Sequence, residues 1–206
     1  MKKHPLPTRQ KIESFWDLHY WIYDYTWAVA QRNSYRKIAA ETQHWEGLEV
    51  LEVGCGKGHL AKKVSPRNHY HLIDYSPKMV EATRELCQER GLKHIKTIEE
   101  QSVLSLKFAD ATFDRTICAH VLTVVPDLNQ AVHEIYRTLK PGGQLLVSSS
   151  YSLLKGKPAE LINRVTKKMG WFYSRDIESV LLRNGFRLDR TLFRGFYEIK
   201  QYSRLG

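Results

Sequence analysis

Three glycines at alternate positions, Gly54, Gly56 and Gly58, end an apolar run and open a stretch with a helical pattern. Glycine lets a backbone bend sharply and lets a ligand approach the main chain more closely than a Cβ would permit. Glu52 stands just ahead of this turn, and about 20 residues beyond it the run from His69 ends in a second carboxylate, Asp74. A carboxylate at that spacing holds ribose hydroxyls in dinucleotide folds, so an adenosine-containing ligand is the first expectation. The acidic residue before the turn suits a cationic ammonium better than a pyrophosphate. Further on, His120 follows another apolar run and is the strongest candidate for acid/base work, although a lone histidine serves equally well as a hydrogen-bonded structural residue. Cys55, Cys87 and Cys118 lie in unrelated contexts without C-x-x-C spacing, which argues against a zinc site or a disulfide framework.

These residues need strands and helices to hold them. Leu48 to Val53 reads as a first strand and His59 to Val64 as a helix whose free N–H groups and partial positive charge face the ligand. His69 to Asp74 is a second strand. Ser76 is a natural N-cap with Pro77 at the first helical position, and the helix runs to about Arg90, where Gly91 stops it. Ile95 to Ile98, Asp114 to Ala119 and Gln144 to Ser149 read as further strands. Pro126-Asp127 starts a helix with Gln130 completing a capping box. Ser174 caps a helix to Asn184, and Phe186 to Phe193 with Phe196 to Tyr202 alternate like a closing antiparallel hairpin. Ahead of the first strand, Arg36 to Trp45 makes a helix that Gly47 breaks. Before it, Phe15, Trp16, His19, Tyr20, Tyr23 and Trp27 fall at helical spacing, as an aromatic stripe or as ordinary core.

The expected architecture is a doubly wound, Rossmann-like α/β sheet of seven strands, six parallel and one antiparallel. A disordered start (1–10) and an N-terminal helical cap (11–46) precede the main domain (47–206), which carries a lid-like insertion at 151–173. At 206 residues and 42% hydrophobic content the chain supports one sizeable core. The formal charge of +10 favours an anionic partner. No nucleic-acid-binding motif is present, so nucleic acid is not the expected partner. Residues 151–173 mix apolar side chains with Lys155, Lys157, Arg164, Lys167 and Lys168, a pattern open to a solvated face or to contact with anionic headgroups. There is no apolar signal-like run, so the expectation is a cytoplasmic protein, soluble or peripheral at the inner membrane surface.

The E-V-G-C-G-x-G turn from Glu52 to Gly58 and the later Leu139-Lys-Pro-Gly-Gly143 resemble the class I S-adenosylmethionine-dependent methyltransferases, from about Phe15 to Tyr202. The resemblance implies S-adenosyl-L-methionine as cofactor, with no metal. Glu52 and the turn with Cys55 would take its amino-acid end and Asp74 its ribose. Tyr75 and Met79, in a D-x-S-x-x-M pattern, would lie against the adenine. Ser102 stands where the family usually has an Asp for the adenine amino group, and its hydroxyl or the Val103 backbone is the substitute. Cys118, at the end of the fourth strand, joins the cofactor contacts. Trp16-Asp17 and, seven residues on, Tyr23-Asp24 are similar to the paired aromatic-Asp repeat opening bacterial phospholipid N-methyltransferases and quinone-methylating enzymes. In those families the tyrosines approach the cofactor or acceptor, which makes Tyr23 a binding and catalytic candidate beside His120.

The resemblance therefore implies methyl transfer to a small, lipophilic or membrane-borne acceptor, a phospholipid amine or a quinol. A soluble natural-product acceptor and a non-catalytic cofactor-binding module stay open as alternatives. Nucleic acid or protein acceptors are disfavoured because no N-P-P-Y or D-P-P-Y tetrapeptide occurs. Oligomeric state is not legible.

Overall fold

The computed structural model describes residues 27–150 and 173–206. The elements are α1 (Trp27–Thr42), β1 (Glu49–Val53), β2 (His69–Asp74), α2 (Pro77–Glu89), β3 (Ile95–Glu100), β4 (Phe113–Ala119), α3 (Leu128–Thr138), β5 (Leu139–Ser150), α4 (Ser174–Arg183), β6 (Phe186–Arg194) and β7 (Tyr197–Arg204). A short 3-10 turn, Val121–Thr123, follows β4. The strands form one seven-stranded sheet in the order β3-β2-β1-β4-β5-β7-β6. β3 to β5 pair in parallel, and β7 runs antiparallel to both of its neighbours, so six strands share a direction and one opposes them. The chain winds outward from β1 to β3 and returns to β4 on the other side of β1. That reversal opens a crevice at the carboxyl ends of β1 and β4, where ligands sit in sheets of this kind.

Alternation along β1 divides the core between two faces. Leu51 and Val53 pack with Leu128, Val132 and Ile135 of α3 and Ile177 and Leu181 of α4. Val50 joins Leu72, Ile117 and Leu146 under Tyr35 and Ile38 of α1, Leu60 of the following loop and Cys87 of α2. Polar groups are buried too: Lys200 of β7 lies 2.7 Å from Glu198 and 2.5 Å from Glu178, tying β7 to α4.

Several local expectations are met. The Ser76 side chain accepts from the Met79 amide at 3.4 Å, Pro77 opens α2, and Gly91 follows its end with φ 58°. Others are corrected. His59 to Val64 forms consecutive turns instead of an α-helix, because Gly56 and Gly58 hold φ of 55° and 70° and only single bonds such as Lys63 N–H to Leu60 O (2.8 Å) follow. The helix-dipole argument for this segment therefore fails. The helix read from Arg36 to Trp45 is α1, which begins at Trp27 and ends at Thr42, where the Thr42 hydroxyl turns back to Ala39 O (2.7 Å) and accepts from Ser65 N–H (3.0 Å). Asp127 does cap α3, accepting from Gln130 N–H at 3.0 Å, but the Gln130 amide reaches Leu104 O instead of closing a box. The N-cap of α4 is Tyr173; Ser174 is inside the helix and donates its hydroxyl to Glu198. The Lys-Pro-Gly-Gly stretch lies within β5, where the register to β4 slips between Phe113 and Arg115.

Candidate active site

Residues Glu52 and Asp74 reach the crevice from the ends of adjacent parallel strands. Glu52 is 2% exposed, and its Oε2 has no hydrogen-bond partner among the described residues. Burial, reinforced by the neighbouring Asp74 charge, pushes its carboxyl up to about 8. It is therefore mostly protonated at neutral pH. Asp74 is the better satisfied of the two: Oδ2 accepts from the Gly56 amide at 2.8 Å and Oδ1 from the Ser76 amide at 3.0 Å. Its carboxyl still sits above the ordinary value, because desolvation outweighs these donors.

The glycine turn is held from every side. Gly54 and Cys55 donate to Ile73 O at 2.8 and 3.0 Å, and the Gly56 carbonyl accepts from the buried Thr83 hydroxyl at 2.7 Å. A Cβ on Gly54 would lie 2.8 Å from Val121 Cγ2, and one on Gly58 2.9 Å from Leu86 Cδ2. The close approach at these two positions is thus made by the chain's own side chains.

Gln101 N–H donates to Asp74 O at 3.0 Å, which brings residues 101–103 to the end of β2 beside Asp74 and Tyr75. Ser102 Oγ accepts from the Leu104 amide at 3.2 Å, leaving its own proton to donate, and Val103 is buried in the α3 side of the core. Met79 is 2% exposed on α2. The two cysteines are not brought together: Cys55 belongs to the core beneath α1, Cys118 to the core beneath α3 and α4. Burial raises both thiols well above their ordinary value, so neither serves as a nucleophile.

His120 ends β4 in the left-handed region, φ 64°. Its Nε2 lies 3.0 Å from Ser34 Oγ of α1 and 2.8 Å from Ser148 Oγ of β5, and the two hydroxyls are 2.7 Å apart. Its amide donates to Ser148 O at 2.8 Å, and its ring meets Tyr197 edge-on at 5.9 Å. Burial pulls the imidazole down to about 4, so the ring is neutral at physiological pH. Its Nδ1 has no hydrogen-bond partner among the described residues.

Ser34, Ser148 and Thr83 were not among the expected residues. Ser148 pairs with Ala119 at the end of the parallel strands, so the Ser148-Ser149-Ser150 run was a usable signal. Thr83, a hydroxyl among the buried positions Met79, Val80 and Cys87 of α2, was another. Nothing in the pattern of α1 marks Ser34. Tyr23, Trp16 and the basic stretch Lys155 to Lys168 lie outside the described residues.

An open sheet with paired carboxylates and a glycine turn at its switch point defines a nucleoside-binding α/β protein. Comparison with known proteins narrows this. Residues 51–147 match the methyltransferase domain family. The chain is 30% identical over 162 residues to a phosphatidylethanolamine N-methyltransferase of Cereibacter sphaeroides, covering 77% of this chain and 79% of that one. It is 36% identical over 104 residues to a demethylmenaquinone methyltransferase of Listeria welshimeri, across 48% of this chain and 44% of the relative. Among solved structures, the [4+2]-cyclase SpnF shares the fold with a TM-score of 0.80 at 20% identity, over 99% of both chains. The chain belongs to the class I S-adenosylmethionine-dependent methyltransferases.

The residues present fit that cofactor. It carries an ammonium, a sulfonium and ribose hydroxyls, all of which call for acceptors or negative charge. The turn offers a buried carboxylate with an orphaned oxygen, Glu52, and a half-buried one, Asp74. A pyrophosphate would meet repulsion there.

Proposed function

We propose that the chain methylates a nitrogen or oxygen of a small lipophilic acceptor presented at a membrane, a phospholipid amine or a quinol. The similarity to the Cereibacter phosphatidylethanolamine N-methyltransferase over more than three quarters of both chains carries this reading. The cofactor, when bound, supplies an electrophilic methyl group for in-line displacement. Glu52 would hold its ammonium and Asp74 its ribose, with Tyr75, Ser102 and Val103 beside the base. What remains for the protein is to align the acceptor and exclude water. A neutral imidazole can take the proton that an amine or hydroxyl sheds, and with Nε2 engaged by Ser34 and Ser148, His120 would take it at Nδ1. Tyr23 is kept in this reading as an acceptor-side contact, and the expected cap and lid as the cover over the mouth. Peripheral contact with an anionic surface on the cytoplasmic side belongs to the same reading. No helix among the described residues is long and apolar enough to cross a membrane.

Fold alone does not fix the acceptor. In a second reading the acceptor is a soluble small molecule. Release of the demethylated cofactor, measured with phosphatidylethanolamine vesicles, demethylated quinols and soluble amines or phenols, separates the two. Turnover with the vesicles or quinols supports the proposal, and turnover with soluble acceptors alone defeats it.

A further inference from the structure

Phe196 is 82% exposed, against 47% for Leu182 and 45% for Leu205, the other large apolar side chains left outside among the described residues. It occupies the tip between β6 and β7, where Gly195 N–H donates to Tyr197 O at 2.9 Å. Its neighbours Phe193 and Tyr197 pack on each other at 4.7 Å and leave it outside. β6 runs in the direction of β1 to β5, so this tip projects from the end of the sheet that carries the glycine turn and His120. Tyr197, the next residue, is the one that meets the His120 ring.

Beside the hairpin, where Lys37 of α1 sits 4.5 Å over the Phe193 ring, the surface is rich in cations. α1 carries Arg32, Arg36 and Lys37 but no acid before Glu41, and residues 55–65 carry Lys57, Lys62 and Lys63 with none. Tyr35 stacks with His59 at 6.3 Å and joins these two stretches into one surface. Arg32, Arg36, Lys62 and Lys63 are in no ion pair among the described residues. Lys63 is held below its ordinary value by burial and by the charges of Lys62, Arg36 and Arg32, which places the four within electrostatic reach of one another. Glu81, Glu85 and Glu89 of α2 and Glu99 and Glu100 of β3 lie towards the β3 edge of the sheet, far in strand order from the hairpin.

We infer that the β6–β7 tip and the cationic face formed by α1 with Lys62 and Lys63 are a docking surface for an anionic lipid bilayer, with Phe196 as its apolar wedge. The inference rests on the reading of a membrane-borne acceptor and adds how the bilayer is met. A lone apolar ring beside clustered cations matches headgroups over acyl chains, whereas nucleic acid would use the cations and leave the ring idle. Docking there brings the strand ends that carry His120 towards the lipid.

The test is co-sedimentation of the full chain with vesicles of phosphatidylglycerol and phosphatidylcholine in equal parts, and with phosphatidylcholine alone. Binding is expected to the first and weakly to the second, and to weaken as salt rises. Phe196→Ser should lower partitioning about tenfold. Arg32→Glu with Arg36→Glu should lower it at least as far, at about fivefold for each cation lost. Cofactor affinity should be unchanged in both. Wild-type partitioning by Phe196→Ser overturns the surface, as does binding that nucleic acid abolishes whether or not Phe196 is present. Phe196-dependent binding by a chain that methylates only soluble acceptors upholds the surface and defeats the acceptor reading. Methylation of bilayer lipid without dependence on Phe196 does the reverse.

Discussion

The Gly56 amide donates to Asp74 Oδ2 at 2.8 Å, so the acidic residue that ends β2 is part of the glycine turn itself. A carboxylate already spanning Gly56 and Ser76 holds its remaining lone pairs in fixed directions, which is how a ribose would find them preorganised. Asp74→Ala should therefore weaken S-adenosylmethionine binding by more than tenfold, about 2 to 4 kcal/mol, and should also lower the melting temperature without cofactor. Calorimetry and thermal unfolding check the two parts. An unchanged affinity with a lowered melting temperature would leave Asp74 a structural residue only.

Glu52, if it holds the ammonium as proposed, should make cofactor binding depend on pH. Its ordinary pKa is 4.5, and in the folded chain it stands at about 8. The folded state thus holds a proton that the unfolded state releases between these values. Its contribution to stability is complete below pH 4.5 and is lost as pH rises through 8. A cationic ligand prefers the ionised form, so affinity should fall below pH 8, by up to about tenfold per unit, with proton release on binding. Titrations in buffers of different ionisation enthalpy measure that proton. Glu52→Gln should flatten the pH slope, and a slope that survives it assigns the proton elsewhere.

Gly58 shows how the glycine turn divides its labour. Its φ of 70° strains any side chain, and a Cβ there would press on Leu86. Gly58→Ala should cost about 1 to 3 kcal/mol of stability. Gly56→Val should abolish cofactor binding, because a β-branched residue opposes φ 55° and displaces the amide that Asp74 holds. Chemical denaturation paired with binding isotherms separates the two effects. Equal loss of stability with retained binding in both variants would show that the turn serves packing alone.

The sheet was legible because its strands are short apolar runs closed by turn residues, and because motif spacing fixed which strand follows which. Glu52, the glycines and Asp74 were legible for the same reason, since local backbone geometry determines where they sit. What escaped was non-local. Ser34 lies 86 residues from His120, and only the packing of α1 on β5 brings them together. The missing helix after Gly58 escaped because apolar spacing over a few residues does not distinguish consecutive turns from a helix. Cys118, expected among the cofactor contacts, shares its core with Val103, whereas Cys55 lies in the opposite one.

His120 supplies the last prediction. Three contacts link Nε2, Ser34 Oγ and Ser148 Oγ, but Nε2 is either donor or acceptor, and only one tautomer leaves a lone pair on Nδ1. In that tautomer Nε2–H is shared with the hydroxyls, and a neutral ring with a free Nδ1 is what proton removal needs. Because the imidazole titrates near 4, its ionisation should not shape the rate between pH 6 and 9. His120→Ala should lower kcat by about 10² to 10⁴ with cofactor affinity retained, if the proton is taken there. Ser148→Ala removes one partner of Nε2 while leaving Nδ1 intact, so it should lower kcat more than it raises KM and should move the acid limb further down, because the lost hydroxyl favours the charged ring. Stopped assays across this range check the profile. A limb near 6.5 in the wild-type chain, or full activity in His120→Ala, would assign His120 to anchoring α1 on the sheet and leave the acceptor to lose its proton to water.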